Sequence, residues 1–312
     1  MLFRSLWEVG ATLPAYGVTA FVPTVITSHP DARKAALAAF AAGPPDGWTG
    51  SVPLGVHFEG PMISAARKGA HPEQWLDDPT PKLIDGWTRD AGVLMVTIAP
   101  ELDGALDVIA TLAARGVVVA VGHTDASAEQ VSAAVDAGAR CLTHFGNAMR
   151  SLTAREPGPI GVALSRSDLV AGVISDGHHL HPLTLNLAWR ALGPHRFLTV
   201  SDTTAALGLP DGTARLGDQQ VLVANGTVRL EDGTLAGSAA SLDACLRVLI
   251  EATACSPAEA VATVTTTPAL LIGDTSRGRL APGCRGDLVL VDEELTVVTT
   301  IVGGVVVHEG SR

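Results

Sequence analysis

A parallel α/β fold with a small β appendage is the architecture this chain predicts, and three observations carry it. Seven short apolar runs rich in β-branched residues alternate with Ala-rich amphipathic segments, the pattern of repeated βα units. The 312 residues are 47% hydrophobic and 17% charged, with a mean hydropathy of +0.31, enough apolar material for one large core. From about Arg277 the character changes to "GRLAPGCRGDLVLVDEELTVVTTIVGGVVVHEG", short strands parted by Pro-Gly, Arg-Gly-Asp and Gly-Gly turns.

In chain order the expected strands are "GVTAFVPTVIT", "VPLGVHFEG", "GVLMVTIAPE", "VVVAVGHTD", "ARCLTHFGN", "LVAGVISDG" and "RFLTVSDTT". The helices between them include "DARKAALAAFAAG", "ALDVIATLAARG", "SAEQVSAAVDAG" and "PLTLNLAWRALG", each ending on glycine. Ser127 and Gln130 have the spacing of a capping box that opens the third. After the seventh strand, "GLPDGTARLGDQQVLVANGTVRLEDGTLAGS" carries Asn-Gly and Asp-Gly turn signals, so a hairpin-rich insertion near 204–237 is expected, placed to act as a flap. One long helix from about Ser238 should follow. This divides the chain into a barrel unit over 1–275 and a small β unit over 276–312.

Charge and cysteine usage narrow the partners. A net charge of -11 without a basic cluster argues against nucleic acid. No apolar run approaches a membrane span, and the opening "MLFRSLWEVGATLPAYG" lacks a cationic segment followed by a continuous apolar one, so a cytoplasmic protein is expected. The four cysteines, Cys141, Cys245, Cys255 and Cys284, show no CxxC spacing and read as reduced, mostly buried thiols.

The chemistry sits where strands end. In a parallel barrel the βα loops converge on the C-terminal face, and five expected strands end there in a ligand or proton carrier: Glu59, His123, His144, Asp176 with His178 and His179, and Asp202. A lone strand-end histidine is usually structural, but packing has no need for three good ligands aimed at one mouth. Two imidazoles and one carboxylate, with a position left for water, make the usual donor set of a catalytic zinc or similar divalent ion. Asp202 is placed to take a proton from water and pass it to a leaving nitrogen, against the alternative of an N-cap. Asp176 and His178 read as supporting or helix-capping residues, and His181 precedes Pro182 at a helix start. Arg155, in the Gly/Pro-rich "MRSLTAREPGPIG", suits a phosphate or carboxylate, or is a solvated loop arginine.

These residues stand in "HFEGP" followed by "KGAH", then "VGHTDA", "THFGNAM", "REPG", "SDGHH" and "VSDTTAALG". In that order they resemble the N-acetylglucosamine-6-phosphate deacetylases of the amidohydrolase superfamily, from Gly17 almost to the end of the chain. The resemblance implies a (β/α)8 TIM-type metallo-dependent hydrolase barrel, with one divalent metal, zinc or iron(II), per subunit on Glu59, His123 and His144. It makes Asp202 the general base and acid, and His71 and His179 substrate contacts. Arg155 and the backbone at Asn147 and Ala148 would hold the sugar 6-phosphate, in a homodimer whose partner shares phosphate contacts. The implied reaction is hydrolysis of the acetamide to D-glucosamine 6-phosphate and acetate. Seven strands are counted where a closed barrel has eight, and the family's first strand is the one without a counterpart, which leaves a sheet edge beside it. Two rivals are another amidohydrolase acting on a cyclic or acyl amide, and an inactive, metal-free binding protein of the same fold.

Overall fold

The computed structural model describes residues 5–310. It opens with α1 (Ser5–Thr12), β1 (Ala20–Phe21), β2 (Thr24–Ile26), α2 (Pro30–Ala41), β3 (Val52–Pro53) and β4 (Val56–Glu59). A regular alternation follows: β5 (Val93–Ile98), α3 (Ala105–Ala114), β6 (Val118–Val121), α4 (Ala128–Asp136), β7 (Cys141–Leu142), α5 (Gly158–Ser165), β8 (Val170–Ile174), α6 (Pro182–Leu192) and β9 (Phe197–Val200). Strands β2 and β4 to β9 make one seven-stranded sheet in chain order, every neighbouring pair parallel. Each crossover therefore delivers the chain to the next slot. The sheet curls with β2 and β9 as its two outer strands, which is the predicted barrel wall of seven strands.

Alternation along the strands sorts side chains between two cores. Phe58, Val96, Val119 and Val173 point outward into the main apolar cluster under the helices. Met95, Ala120, Cys141, Val170 and Leu198 fill the floor of the interior, with Leu271 and Ile272 packed against them. Above that floor runs a polar layer: Thr24 Oγ1 meets His57 Nδ1 at 3.0 Å, His57 Nε2 meets Thr97 Oγ1 at 2.8 Å, and Thr97 meets Thr143 at 2.8 Å. Burial pushes the His57 imidazole down to about 4, so this ring is a neutral strut beneath the site. Phe58 is wholly buried and its ring centroid lies 4.7 Å from that of Trp87. Phe58→Ala should cost about 3–5 kcal/mol, read as a lowered midpoint in denaturant at unchanged slope, because the strand cannot collapse into the void.

Three expectations change. The first two strands are each broken. "GVTAFVPTVIT" gives β1 and β2 on either side of Pro23, which has no N–H for a ladder, and "VPLGVHFEG" gives β3 and β4 around Leu54 and Gly55. Short pieces β1 and β3 pair with each other, outside the main sheet. The single helix expected from Ser238 is three, α7 (Leu242–Thr253), α8 (Pro257–Val264) and α9 (Thr266–Leu271). Ala254 turns left-handed to end α7, and Ser256 with Glu259 forms a capping box that starts α8 afresh.

Between β9 and α7 lies an antiparallel sheet of β10 (Gly212–Leu216), β11 (Gln219–Ala224), β12 (Thr227–Arg229) and β13 (Leu235–Ser238). Asn225 and Gly226, both at positive φ, make the two-residue turn that joins β11 to β12. This sheet is tied to two parts of the mouth. Ser238 N–H donates to Asp202 O at 2.9 Å, and Gln219 Nε2 donates to Ala70 O at 2.7 Å. The chain ends in β14 (Leu288–Val291), β15 (Val297–Val302) and β16 (Val305–Glu309), an antiparallel sheet anchored to the N-terminal segment where Thr300 Oγ1 donates to Pro14 O at 2.7 Å. We propose the division at 275/276 as a boundary between units, the insertion at 204–237 belonging to the first. Positions 1–4 and 311–312 of those units lie outside the described residues.

Candidate metal centre and substrate pocket

Glu59 is the last residue of β4, and its side chain points to the interior, two positions above His57. His123 and His144 follow the ends of β6 and β7. Both adopt positive φ, +48° and +30°, as do Ala148 at +47° and Asp202 at +50°. Residues with a Cβ rarely enter this region, and four site residues doing so together mark backbone bent to aim side chains into the mouth. Gly60, at φ +78°, lets the chain turn off β4 where a Cβ would collide with the Thr27 hydroxyl.

The three predicted ligands converge. Glu59 Oε1 lies 3.2 Å from His123 Nε2 and 3.1 Å from His144 Nε2, and the two Nε2 atoms are 2.9 Å apart. All three residues are buried. The protons on the rings follow from their other nitrogens. His123 Nδ1 meets the Arg67 carbonyl at 2.9 Å and His144 Nδ1 meets the Asn147 carbonyl at 3.1 Å. A carbonyl only accepts, so each Nδ1 carries the hydrogen and each Nε2 presents a lone pair. Two lone pairs and a carboxylate oxygen facing one another within hydrogen-bond distance hold no donor, an arrangement that calls for a cation. The triangle has a centre about 1.8 Å from each corner, close to the usual Zn–N distance of about 2.0–2.1 Å, so only small outward shifts of the side chains would be needed to admit such an ion. The residues present therefore fit the predicted metal.

Burial would raise the Glu59 carboxyl, but when the two imidazoles take up protons in place of a cation, their hydrogen bonds and charge hold it well below the usual range, so Glu59 keeps the negative charge that a cation would meet. Burial likewise opposes charge on His144, and the Glu59 carboxylate facing it outweighs burial and raises that imidazole, so without a cation a proton can occupy the gap. Asp202 goes the other way: burial, then the Glu59 charge, raises its carboxyl to about 6. A carboxyl poised there can both take and return a proton near neutrality.

His71 comes back over the mouth on the loop after β4, its ring centroid 4.3 Å from that of His123. Its Nδ1 receives the Thr27 backbone N–H at 3.3 Å and faces the Thr27 hydroxyl at 2.8 Å. An amide N–H must donate, which leaves the His71 hydrogen on Nε2, 3.8 Å from Glu59 Oε2. Burial, then the neighbouring His123, pushes His71 down to about 3, so it is a neutral donor. His179 is held by Asp176, Nδ1 to Oδ2 at 2.7 Å, while exposed His178 lies against the Gly226 turn and His181 caps α6 through Leu183 N–H. The cluster of histidines is thus divided among three tasks.

The expected phosphate contacts are only partly gathered. Asn147 and Ala148 are half-buried in the loop that orients His144. The Asn147 amide nitrogen is spent on the His144 and Phe145 carbonyls, whereas the Ala148 N–H makes no hydrogen bond among the described residues. Arg155 is exposed on a turn closed by Thr153 N–H to Glu156 O, and it makes no ion pair among the described residues. The structure does not bring it to the Glu59 cluster.

Several supporting residues escaped sequence reasoning. Thr27 and Glu101 end quoted strands, so the rule that found the ligands could have found them. Glu101 holds the segment after His123, accepting from the Thr124 hydroxyl and, at 2.6 Å, from Asp125 N–H. Asp125 clamps Arg67 at 2.8 Å and Arg150 at 2.9 Å, across separations that leave no local signal.

The Amidohydrolase family profile matches residues 11–307. The chain is 36% identical to the N-acetylglucosamine-6-phosphate deacetylase of Bacillus subtilis (strain 168), over 97% of this chain and 78% of that protein. The crystal structure of the N-acetylglucosamine-6-phosphate deacetylase of Thermotoga maritima superposes with a TM-score of 0.92 at 34% identity, over 97% of this chain and 82% of that one. A mutant of the Mycobacterium smegmatis enzyme, in complex with N-acetyl-D-glucosamine-6-phosphate, gives 0.86 at 36% identity, over 95% and 78%. With the profile and these relatives spanning nearly all of the chain, the chain belongs to the amidohydrolase family, among its N-acetylglucosamine-6-phosphate deacetylases.

Proposed function

We propose that the chain hydrolyses the acetamide of N-acetyl-D-glucosamine 6-phosphate, giving D-glucosamine 6-phosphate and acetate. The observation that carries the reading is the donor-free convergence of Glu59, His123 and His144 beside a carboxyl raised to about 6. Those three residues would hold one divalent ion, zinc or iron(II), which when bound lowers the pKa of water and polarises a carbonyl oxygen.

The protein's own groups supply the rest. Asp202, ionised, takes the proton of the attacking water. The His71 Nε2–H donates to the acetyl oxygen as negative charge gathers on it, and Thr27 keeps that hydrogen on the correct nitrogen. Asp202 then gives its proton to the amine nitrogen, because an amide anion is too basic to leave unaided. His179 contacts the sugar. The Ala148 N–H would receive a phosphate oxygen, whereas the Asn147 N–H is given to the His144 carbonyl and the Asn147 carbonyl accepts from His144 Nδ1, so Asn147 serves by holding His144. Arg155, standing clear of its own cluster, fits a phosphate contact delivered to a partner subunit, so we assign a homodimer. A cytoplasmic location fits a chain with four unpaired cysteines and, among the described residues, no helix long and apolar enough to cross a membrane.

Acetate release from the phosphorylated sugar, from the same sugar without phosphate and from its C4 epimer tests the substrate. No release from any of the three, by protein loaded with zinc or iron(II), refutes the reading. Arg155→Ala should raise KM for the phosphorylated sugar about tenfold or more with kcat nearly kept, and leave the unphosphorylated sugar unaffected. An unchanged KM removes Arg155 from the phosphate site.

A further inference from the structure

We infer that Asp176 is the positioning residue that decides how His179 meets the substrate. The inference rests on the deacetylase reading for the identity of the substrate, but its geometry stands apart from it. Asp176 follows β8 with its side chain almost wholly buried, and both of its oxygens are engaged. Oδ1 accepts the backbone N–H groups of His178 and His179, each at 2.9 Å, and Oδ2 meets His179 Nδ1 at 2.7 Å. It is not a helix cap, since His181 caps α6. Three hydrogen bonds fill most of the acceptor capacity of this carboxylate and its burial shuts substrate out from the rest, so its action passes through the imidazole.

The proton assignment follows from the acceptor. An ionised carboxylate cannot donate, so the hydrogen on Nδ1 belongs to His179 and Nε2 is the nitrogen left for substrate. Burial opposes the Asp176 charge, yet the His179 bonds hold its carboxyl near 2, so the acceptor stays ionised through the working range. In the neutral ring, Nε2 is an acceptor. Its partner on the substrate is then a donor, a sugar hydroxyl or the amide N–H, and not the phosphate or the acetyl oxygen, which only accept.

Asp176→Asn tests this with almost no change of shape. The amide oxygen can keep both backbone N–H groups, while its NH₂ donates to Nδ1 and forces the ring hydrogen onto Nε2, the wrong tautomer for accepting. In metal-free protein the ¹⁵N shifts of the His179 ring should report hydrogen on Nδ1 in the wild type and on Nε2 in the variant. In the loaded enzyme kcat/KM should fall about 10–100-fold with metal content unchanged. Substrates lacking one hydroxyl at a time should identify the donor: the deletion that hurts the wild type should cost the variant nothing further. Hydrogen on Nε2 in the wild type overturns the inference, whether or not the variant folds, as do wild-type kinetics in a variant whose tautomer has switched. A wild type that releases no acetate refutes the deacetylase reading and leaves the tautomer measurement to decide this one.

Discussion

Asp202→Asn should lower kcat by about 10³-fold or more while the protein keeps its metal and its fold, because one group serves both proton transfers. An asparagine neither takes the proton of water nor returns one to the amine, and neither His71 nor Glu59 is free to replace it. His71 is a neutral donor whose other nitrogen is engaged by Thr27, and the Glu59 oxygen nearest the imidazoles belongs to the triad. The wild-type pH profile should carry an acidic limb at about pH 6 or below, since a bound cation can only lower the Asp202 value, and the variant's residual rate should lack it. Stability should run the opposite way. The folded state raises Asp202 from the ordinary carboxylate range to about 6, so its stabilising share is complete below about pH 4 and lost as pH rises through 6. Metal-free Asp202→Asn should therefore be more stable than metal-free wild type above pH 6, by something on the order of 1–3 kcal/mol in denaturant titrations. Appreciable turnover by the variant would transfer the base to another residue.

Glu59→Gln should remove the metal rather than the proton carrier. The carboxylate is the one negative corner of the triad, and its replacement by an amide lets an NH₂ group donate to the two bare Nε2 atoms. The metal-free variant should thus fold, with affinity for zinc weakened by at least about 100-fold, the upper end of what losing even a supporting residue costs. Competition with a chromogenic chelator measures this directly. A thermal scan gives a second reading: zinc at 100 times its Kd stabilises a folded site by about 2.7 kcal/mol, roughly 4 °C for a chain of this size, and the variant should show almost none of that shift. Wild-type zinc affinity in Glu59→Gln would show that the convergence is not the metal centre.

How much of this was legible in the sequence depends on the range of the interaction. Strand runs and their polar ends are written locally, because a buried parallel strand must be apolar to its tip and only a working residue breaks the pattern there. Glu59, His123, His144 and Asp202 were picked out that way, and the fold brings the first three together. Pro23 and Ala254, which break an expected strand and an expected helix, act through backbone details that a hydrophobic pattern does not weigh. The partners of Asp125 lie 58 and 25 residues away, and no periodicity links them.

The residue types by themselves determined the repeated βα units, the carboxylate and imidazoles at strand ends, and the family to which their order belongs. Only the tertiary structure decided which hydrogens sit on which nitrogens, and hence which rings are fitted to ligate, to donate or to brace. His57 and Glu59 stand two residues apart on one strand, yet His57 ends between two threonines and Glu59 between two imidazoles. The physical reason is that an imidazole's role is set by the group facing its other nitrogen. That group, the Arg67 or Asn147 carbonyl, the Thr27 amide or the Asp176 carboxylate, is supplied by the fold.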